Sequence, residues 1–316
     1  MMQRLRIVFY GTPNFAVPSL TQLLQLPEFE ILAVYTQPDR PRGRGREISF
    51  APVKEVALNS KIPVHQPVQV RAPEVEAELR ALKPDVIVII AYGQIIPARL
   101  LDIPKYGWLN LHASLLPKYR GAAPINWAIV NGETKTGNTT MRIDAGMDTG
   151  EILLQQELAI GADETAPELR TRLAEAGGLL LVETLRGTVN GAVVGRRQDN
   201  REATVAPILK RIDGWIDWSM NAKQIYNRMR GFAPWPDAFT QFRSQACHLH
   251  GRPVGHEQSE EEPGTILTTG GKVRVACGQG SLLELMTVKL EGRKQVSAAE
   301  FANGARLQAK ERFGKR

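Results

Sequence analysis

Three polar residues in the middle of the chain have the chemistry needed to transfer an acyl group. Asn110 and His112 are two residues apart, and Asp148 follows in the turn Met147-Asp148-Thr149-Gly150. An amide can donate to a developing oxyanion, an imidazole can move a proton near neutral pH, and a carboxylate can orient that imidazole. Because the set contains no serine or cysteine nucleophile, we expect direct transfer of a small acyl group to an amine.

Each of the three residues also has a plainer interpretation. A strand-end asparagine is usually a turn residue, a lone histidine is more often structural, and an aspartate between Met and Thr-Gly is usually a cap. Their combination with the segment after His112 favours the catalytic interpretation. If residues 107–112 form a strand, Asn110 and His112 project from the same face, and Asp148 must fold back toward His112.

The segment after His112 could line a slot for a flat heterocycle. It offers one hydroxyl, two leucine side chains and backbone groups, which suit a largely apolar pocket with few polar contacts. The loop at the end of the preceding apolar run could contribute to the same slot. Ordinary core packing of the two leucines is the alternative that the residues alone leave open. The candidate binding residues are Ser114, Leu115, Leu116, Pro117 and Tyr92.

A Pro/Gly-rich loop directly after a strand-like run carries four arginines within seven residues. So much charge excludes a core element. Arginine presents a planar fork of donors that fits phosphate oxygens and base edges, so we expect this loop to clamp a large anionic substrate. A solvated, mobile loop is the alternative. The candidate residues are Arg40, Arg42, Arg44 and Arg46.

The first half of the chain alternates strand-like and helical segments, as βαβ units do. Apolar runs such as 85–91 indicate strands of a parallel sheet with helices on both faces and a ligand at their carboxyl ends. The first turn is no dinucleotide fingerprint, because it has one glycine, Gly11, instead of three, and Pro13 removes an amide. The predicted segments are 6–10, 18–26, 31–36, 51–59, 74–81, 85–91, 108–112, 141–144, 151–157 and 164–188.

The last third of the chain differs in pattern and charge. Residues 190–207 mix glycine, polar and charged residues and are the predicted linker between a catalytic domain, 1–189, and a C-terminal domain, 208–316. The C-terminal domain holds 17 Lys and Arg against 11 Asp and Glu, which is most of the net charge of +7. We expect a polyanionic partner such as nucleic acid, with a solvated basic surface as the alternative. Its predicted elements are a helix at 221–229 and short strands at 238–242, 264–267, 272–276 and 282–290, as in a small β-barrel or sandwich.

Composition excludes several other classes of protein. With 43% hydrophobic residues and no apolar run near the roughly 20 residues that span a bilayer, the chain reads as globular and soluble. A strand-like run at 7–10 leaves no room for a secretory signal, so we expect a cytoplasmic protein. Cys247 and Cys277 are the only cysteines, which predicts neither disulfides nor a thiolate metal site. The absence of metal-ligand spacing, a phosphate-binding glycine loop and Gly-x-Ser-x-Gly predicts no metal, no ATP and no covalent serine.

At these residues the chain resembles the 10-formyltetrahydrofolate-dependent formyltransferases over essentially its whole length, and among them those that act on initiator methionyl-tRNA. The signature shared by the family is Asn110-Leu111-His112-Ala113-Ser114-Leu115-Leu116-Pro117 with Asp148 in Met-Asp-Thr-Gly. Ala113 and Lys118-Tyr119 depart mildly from the family pattern. The narrower signature of the tRNA enzymes comprises Phe9-Tyr10-Gly11-Thr12-Pro13, the loop Pro38-Asp39-Arg40-Pro41-x-Gly43-Arg44-Gly45, in which x is any residue, Tyr119-Arg120-Gly121-Ala122-Ala123-Pro124-Ile125, Ile216-Asp217-Trp218 and Pro234-Trp235-Pro236.

The resemblance implies a Rossmann-like α/β domain with a mostly parallel sheet, followed by a small β-barrel of the oligonucleotide-binding type. It implies that Asn110, His112 and Asp148 are catalytic, that Ser114 to Pro117 border the folate site, and that the arginine loop contacts tRNA. The implied reaction transfers the formyl group of 10-formyltetrahydrofolate to the methionine α-amino group of initiator methionyl-tRNA, for translation initiation. We expect a monomer that needs neither a metal nor an obligate protein partner.

Three alternatives differ in the acceptor or in the activity itself. Glycinamide ribonucleotide formyltransferases share the catalytic set but typically lack a basic second domain and an arginine loop. Sugar-nucleotide N-formyltransferases can carry a similar barrel. A folate- or RNA-binding module with an idle transferase site is the third alternative, and the intact set Asn110, His112 and Asp148 argues against it.

Overall fold

The structure is a computed structural model that describes residues 4–42, 47–255 and 257–314. The chain forms two compact units. The first consists of Met1–Pro124, Lys135–Ala159 and Arg170–Ala206, and the second of Ile125–Thr134, Ile160–Leu169 and Pro207–Arg316. Two short segments that precede residue 170 therefore belong with the C-terminal part of the chain.

The elements up to residue 206 comprise both strands and helices. The strands are β1 Leu5–Gly11, β2 Phe29–Tyr35, β3 Arg40–Arg42, β4 Glu47–Ser49, β5 Val64–His65, β6 Val86–Ile90, β7 Trp108–His112, β8 Arg120–Gly121, β9 Lys135–Arg142, β10 Ile152–Ala159 and β11 Val205–Ala206. The α-helices are α1 Val17–Gln25, α2 Pro52–Asn59, α3 Pro73–Leu82, α4 Ala98–Leu101, α5 Pro124–Val130 and α6 Ala166–Asn190.

Seven of the strands form one sheet in the order β10-β9-β7-β6-β1-β2-β5. Neighbours from β7 to β5 pair in parallel, whereas β9 is antiparallel to β7 and to β10. The predicted mostly parallel α/β sheet is confirmed. The strand order reverses between β1 and β6, and an open sheet of this kind binds its ligand at the carboxyl ends of strands near such a reversal.

A buried aromatic cluster packs against the central strands of the sheet. The rings of Tyr10 and Tyr35 stack with centroids 4.4 Å apart, and Tyr10 also contacts Tyr92 at 4.9 Å and Trp108 at 5.0 Å. Burial raises the pKa of the Tyr92 phenol to about 12. All five residues of β6 are buried as well, as expected for a strand covered on both faces. The central strands of the sheet are therefore held in a closely packed core.

The helices that flank the sheet begin and end with recognisable signals. α2 and α3 both have proline in their first turn, where the missing N–H removes no helical hydrogen bond. α3 places Glu74 and Glu76 in its first turn and Arg80 in its last, which complements the helix dipole. Within the described ranges, no helix combines the length and apolar character required to cross a bilayer.

β9 begins six residues before the predicted strand at 141–144 and ends at Arg142. The prediction missed most of β9 because its inner residues are polar. Thr136, Asn138, Thr139 and Thr140 are all buried. The Asn138 side chain donates to the carbonyl of Leu173 at 2.8 Å, and the hydroxyls of Thr140 and Thr184 are 2.7 Å apart. These hydrogen bonds offset the cost of burying polar groups, so the strand lacks the apolar alternation by which it would be recognised.

In addition to most of α5 and the start of α6, the described part of the second unit contains an antiparallel sheet and two further helices. The pairing order is β12-β13-β16-β15-β14, with β17 beside β16. The antiparallel sheet agrees with the predicted β domain, while barrel closure and the oligonucleotide-binding type stay predictions. The elements are α7 Ala222–Gly231, β12 Phe239–Phe242, β13 Gln245–Pro253, β14 Ile266–Thr269, β15 Lys272–Ala276, β16 Leu282–Leu290, β17 Val296–Ser297 and α8 Ala298–Ala305.

The core of the second unit is rich in aromatic side chains. Trp218 stacks on Phe313 with ring centroids 5.5 Å apart, and Phe242 contacts Phe301 edge-on at 5.0 Å. Both cysteines are free and buried, and burial raises the pKa of the Cys247 thiol to about 12.

The segments 125–134 and 160–169 are integrated into this unit. The Asn126 amide donates to the carbonyl of Gly231 at 2.7 Å, and the ring of Trp127 contacts Phe232 edge-on at 5.5 Å. The buried guanidinium of Arg230 donates to the carbonyls of Gly161 and Glu164 at 3.1 and 2.9 Å. These contacts satisfy polar groups inside the unit.

The predicted linker at 190–207 packs almost entirely within the first unit. Arg196 exchanges backbone hydrogen bonds with Ile152 at 2.8 and 2.9 Å. β11 pairs in parallel with β8. Its polar composition therefore reflects a surface segment with backbone partners rather than a free connection.

Candidate active site

β7 carries two of the three candidate catalytic residues to the carboxyl edge of the sheet. Asn110 lies opposite Met141 of β9, and His112 lies opposite Thr139. Being two residues apart on one strand, they share a face. His112 is only 6% exposed, whereas Asn110 is half-buried. Among the described residues, the Asn110 side chain has no hydrogen-bond partner, so its amide is available to a ligand.

The imidazole of His112 is held at one nitrogen and faces a carboxylate with the other. Its Nε2 lies 2.9 Å from the carbonyl oxygen of Tyr119. Because a carbonyl can only accept, Nε2 carries a proton. Nδ1 lies 3.6 Å from Oδ2 of Asp148. The structure thus brings His112 and Asp148 together as the sequence predicts.

Asp148 is held in turn by the backbone of the segment that holds His112. The amide of Gly121 donates to Asp148 Oδ2 at 2.8 Å. Tyr119 and Asp148 both adopt left-handed backbone conformations, with φ of 61° and 54°, which cost of order 1–3 kcal/mol each outside glycine. Gly121 has a φ of 115°, and a Cβ there would lie 2.7 Å from the carbonyl oxygen of Ala206. Only glycine therefore fits at the residue that donates to Asp148.

Thr139 holds the loop that follows β7. Its hydroxyl donates to the carbonyl of Ser114 at 2.6 Å and accepts from the amide of Leu116 at 3.1 Å. The amide of Gln155 donates to the same hydroxyl and to the carbonyl of Leu116, both at 2.9 Å. Residues 114–116 therefore have fixed backbone positions beside His112.

The predicted folate residues differ in how much side chain they expose. Ser114 is fully buried and donates to the carbonyl of Lys118 at 2.6 Å. Leu116 is 3% exposed and packs with Met141 and Ile152, and Tyr92 is 2% exposed within the aromatic cluster. Leu115 and Pro117 are half-buried. Side-chain surface for a ligand is therefore concentrated at Leu115 and Pro117.

The base of the arginine loop lies at the same carboxyl edge of the sheet. The Gln37 amide donates to the carbonyl of Tyr92 at 3.0 Å, and its backbone N–H donates to the Thr12 hydroxyl at 3.1 Å. Asp39 accepts from Gln66 at 3.0 Å and forms an ion pair with Lys54. Of the four candidate arginines, Arg40 and Arg42 belong to the backbone of β3, and Arg44 and Arg46 lie outside the described residues.

Several residues around the site carry no signature in the sequence. The carbonyl of Tyr119 and the amide of Gly121 are backbone groups, which any residue type supplies. Gln198, from the predicted linker, donates to the carbonyls of Asp148 and Gly150, both at 2.8 Å. No pattern links Gln198 to Asp148, because fifty residues separate them.

The arrangement combines an available amide donor, an imidazole and a carboxylate at the end of one strand. These groups can stabilise an oxyanion and move a proton during addition of an amine to an acyl carbon. In the part of the chain that the structure describes, no group of three or more His, Cys, Asp or Glu residues is placed to bind a metal ion.

Comparison with known proteins identifies relatives of the chain. A family model described as formyl transferase matches residues 5–185, and one described as formyl transferase, C-terminal domain, matches residues 208–306. Methionyl-tRNA formyltransferase of Solibacter usitatus is 51% identical, covering 98% of this chain and 99% of its own. That of Acidobacterium capsulatum is 49% identical, covering 98% and 100%. The structure of the N-formyltransferase from Helicobacter canadensis in complex with folinic acid and dTDP-3-aminofucose has a TM-score of 0.64 at 20% identity, covering 90% of this chain and 99% of that chain, which indicates a shared fold.

Proposed function

The chain belongs to the formyltransferase family, and from this premise we propose that it transfers the formyl group of 10-formyltetrahydrofolate to the methionine α-amino group of initiator methionyl-tRNA, for translation initiation. The observation that carries the proposal is the position of His112 between the Tyr119 carbonyl and Asp148, with Asn110 on the same strand face. The two relatives that are 51% and 49% identical to this chain are methionyl-tRNA formyltransferases, which favours this acceptor.

Asn110 stabilises the charge that develops when the amine adds to the formyl carbon. The addition converts the formyl oxygen to an oxyanion, and a positioned amide N–H is a strong donor to it. Because the Asn110 side chain has no internal partner among the described residues, it can donate without first breaking a hydrogen bond. Collapse of the tetrahedral adduct then returns the electron pair and expels N10 of tetrahydrofolate.

His112 moves the proton that the attacking amine must lose and N10 must gain. Its Nε2 is bonded to the Tyr119 carbonyl, so Nδ1 is the nitrogen that exchanges protons. Asp148 lies 3.6 Å from Nδ1 and stabilises the imidazolium that forms when His112 accepts a proton. Asp148 is thus a partner of the base and not a nucleophile.

The residues beside His112 fit a folate in chemical character. Leu115 and Pro117 present half-buried apolar surface, and the ordered backbone of 114–116 and the loop at Tyr92 can offer amides and carbonyls. A flat heterocycle with polar edges needs this mixture of apolar surface and fixed polar groups. In this assignment Ser114, Leu116 and Tyr92 shape the site from within the core.

The tRNA is expected to contact the arginine loop and the basic C-terminal unit. Phosphate contacts by Arg40, Arg42, Arg44 and Arg46 would orient the acceptor end, because the base of the loop lies at the strand edge that carries His112. Residues 208–316 hold most of the net positive charge, which suits a second contact with the same polyanion. We further propose that the protein works as a monomer in the cytoplasm.

A formylation assay with three acceptors tests the proposed function. Purified protein and 10-formyltetrahydrofolate are incubated with charged initiator methionyl-tRNA, with an amino-sugar nucleotide or with glycinamide ribonucleotide. We expect product from the methionyl-tRNA. Absence of formylmethionyl-tRNA together with formylation of either small acceptor would refute the proposal.

The arginine loop is tested by Arg44→Ala. We expect a higher KM for methionyl-tRNA and an unchanged KM for 10-formyltetrahydrofolate, since a lost phosphate contact weakens acceptor binding alone. Steady-state kinetics with each substrate varied in turn provides the measurement. A change confined to the KM of the folate would contradict the assigned role.

A further inference from the structure

Gln198 connects the turn that carries Asp148 to the segment that carries Arg120. Its amide nitrogen donates to the carbonyls of Asp148 and Gly150, both at 2.8 Å. Its amide oxygen accepts from two nitrogens of Arg120, at 3.0 and 2.8 Å. The amide group of Gln198 therefore makes all four hydrogen bonds of this connection.

The orientation of this amide follows from the chemistry of its neighbours. The carbonyls of Asp148 and Gly150 can only accept, and the guanidinium of Arg120 can only donate. The nitrogen of Gln198 must therefore face the turn, and its oxygen must face Arg120. A glutamate at this position can replace the contact with Arg120 but cannot donate to the turn.

The turn held by Gln198 is one that needs external contacts to persist. Asp148 has a φ of 54°, a left-handed conformation that is unfavourable for a residue with a Cβ. Such a conformation is maintained where surrounding contacts determine it. Two hydrogen bonds from Gln198 to this turn, one to the carbonyl of Asp148 itself, are contacts of this kind.

The segment at the other end of Gln198 contains both groups that orient the candidate catalytic pair. Arg120 lies between Tyr119, whose carbonyl accepts from His112, and Gly121, whose amide donates to Asp148. The same segment is held by Thr204, whose hydroxyl accepts from the amide of Tyr119 at 2.8 Å and whose carbonyl accepts from the amide of Arg120 at 2.9 Å. His112 and Asp148 thus meet between two backbone segments that Gln198 joins.

We propose that Gln198 is a positioning residue for formyl transfer, which sets the distance between the Asp148 carboxylate and His112 Nδ1 by fixing the backbone turn at Asp148. Gln198 acts through Asp148 and touches neither substrate. This inference rests on the proposed function, because it assumes that His112 and Asp148 move protons during the reaction. It extends the functional part of the chain into the segment that the sequence predicts to be a linker.

Two substitutions separate positioning from simple structural support. Gln198→Met removes both the donor and the acceptor while keeping the length of the side chain. Gln198→Glu keeps the acceptor for Arg120 but removes the donor to the turn. If the turn must be held for proton movement, both variants lower kcat about 10- to 100-fold, the usual effect of removing a partner that orients an active group. The KM values for both substrates should stay close to wild type, because no substrate contact is lost.

Thermal unfolding provides the second readout. Gln198→Glu loses the two hydrogen bonds to the turn but strengthens the contact with Arg120 by its charge, so it should melt between wild type and Gln198→Met. A fall in kcat that is similar in both variants, despite their different stabilities, supports positioning. A wild-type kcat in Gln198→Glu overturns the proposal. A higher KM for either substrate in both variants, with no fall in kcat, also overturns it. If Gln198→Met fails to fold, Gln198→Glu alone decides.

Asn200→Ala is the matched control. The Asn200 side chain accepts one hydrogen bond from Arg120 at 2.9 Å, so its removal perturbs the same segment but leaves both bonds from Gln198 to the turn. We expect its kcat to stay within about twofold of wild type, as for most substitutions on an exposed surface. A loss equal to that of Gln198→Glu would show that any change in this segment disturbs the site.

The two proposals fail in different ways. The acceptor of the wild-type protein is established first by the three-acceptor assay, and the variants are then assayed with the acceptor that works. If that acceptor is a sugar nucleotide, the proposed function is wrong, while the comparison of kcat values still tests Gln198, because any amine acceptor must lose a proton.

Discussion

The side chains of His112 and Asn110 differ in their contacts with the rest of the protein. The imidazole of His112 has a protein group at each nitrogen, whereas the amide of Asn110 has no partner among the described residues. Removing the His112 ring therefore removes a hydrogen bond to the Tyr119 carbonyl and the neighbour of the Asp148 carboxylate. Removing Asn110 breaks no internal hydrogen bond, and its effect should appear in the reaction alone.

We predict that Asn110→Ala lowers kcat by about 100- to 1,000-fold, the usual loss for one oxyanion donor, and leaves the melting temperature unchanged. His112→Ala should lower both kcat and the melting temperature, because it also removes a buried ring that is hydrogen-bonded to the Tyr119 carbonyl. Steady-state kinetics and thermal unfolding provide the two measurements. Asn303→Ala, at an exposed position of α8, is the control. Near-normal turnover in Asn110→Ala would remove Asn110 from the mechanism.

Leu115 and Leu116 are adjacent in sequence but differ in exposure, which leads to a second prediction. Leu115→Ala should raise the KM for 10-formyltetrahydrofolate with little change in stability, because Leu115 is half-buried beside the site. Leu116→Ala should cost about 2–5 kcal/mol of unfolding free energy through the cavity it creates, since Leu116 is 3% exposed. Denaturant unfolding and donor titrations distinguish the two. The reverse pattern would contradict the assignment.

At the scale of elements, the apolar strands were predictable and the polar ones were not. Residues 85–91 and 108–112 indicate β6 and β7 because their side chains are apolar or alternate. β9 replaces apolar packing with hydrogen bonds from its threonines and Asn138, so its first residues give no such pattern. β13 was not among the predicted strands, although it pairs with both β12 and β16. Its histidines, glycine and arginine interrupt the apolar pattern.

Part of the candidate site could also be predicted from the sequence, and part could not. Asn110, His112 and Asp148 could be proposed from their chemistry and spacing, because side-chain types carry that information. Their geometry depends on the Tyr119 carbonyl, the Gly121 amide and Gln198, which meet only in the folded chain. The sequence also groups Ser114 with Leu115 as ligand contacts, and burial separates them.

An ion pair in the second unit predicts how its stability depends on pH. Arg243, in the turn between β12 and β13, donates to Glu311 at 2.5 and 2.9 Å. This hydrogen bond lowers the pKa of Glu311 below its ordinary value of 4.5. A carboxylate with a lowered pKa in the folded state stabilises that state above its ordinary pKa, and the contribution is lost as the pH falls through the lowered value.

Glu311→Gln should therefore be less stable than wild type at neutral pH and should lose less stability on acidification. The unfolding midpoint in urea, followed by tryptophan fluorescence over the acidic range, measures the difference. Glu291→Gln, at an exposed position after β16, is the control and should follow the wild-type curve. Parallel pH profiles for wild type and Glu311→Gln would show that the ion pair contributes nothing.

At the scale of the whole molecule, the distribution of charge predicts a difference between the two substrates. The C-terminal third carries most of the net charge of +7. Contacts between basic side chains and phosphates weaken steeply with salt, because counterions are released on binding. The formyl donor is bound beside His112 largely by apolar surface and backbone in the proposed site.

We predict that raising the salt concentration from about 50 to about 200 mM increases the KM for methionyl-tRNA by at least about tenfold, while the KM for the formyl donor changes much less. Measuring both constants at several salt concentrations tests this. Equal salt dependence of the two constants would contradict an electrostatic contact confined to the acceptor.

The composition of the second unit also affects how the protein can change during evolution. Asn126, Trp127 and the carbonyls of Gly161 and Glu164 contact residues of its C-terminal part, yet they precede residue 207 in the chain by about forty residues or more. A chimera joined to a relative after residue 207 would therefore mix two ancestries inside one core. Exchange of residues 125–134 and 160–169 along with the C-terminal part would keep the partners together, so substitutions in these distant stretches are expected to depend on one another.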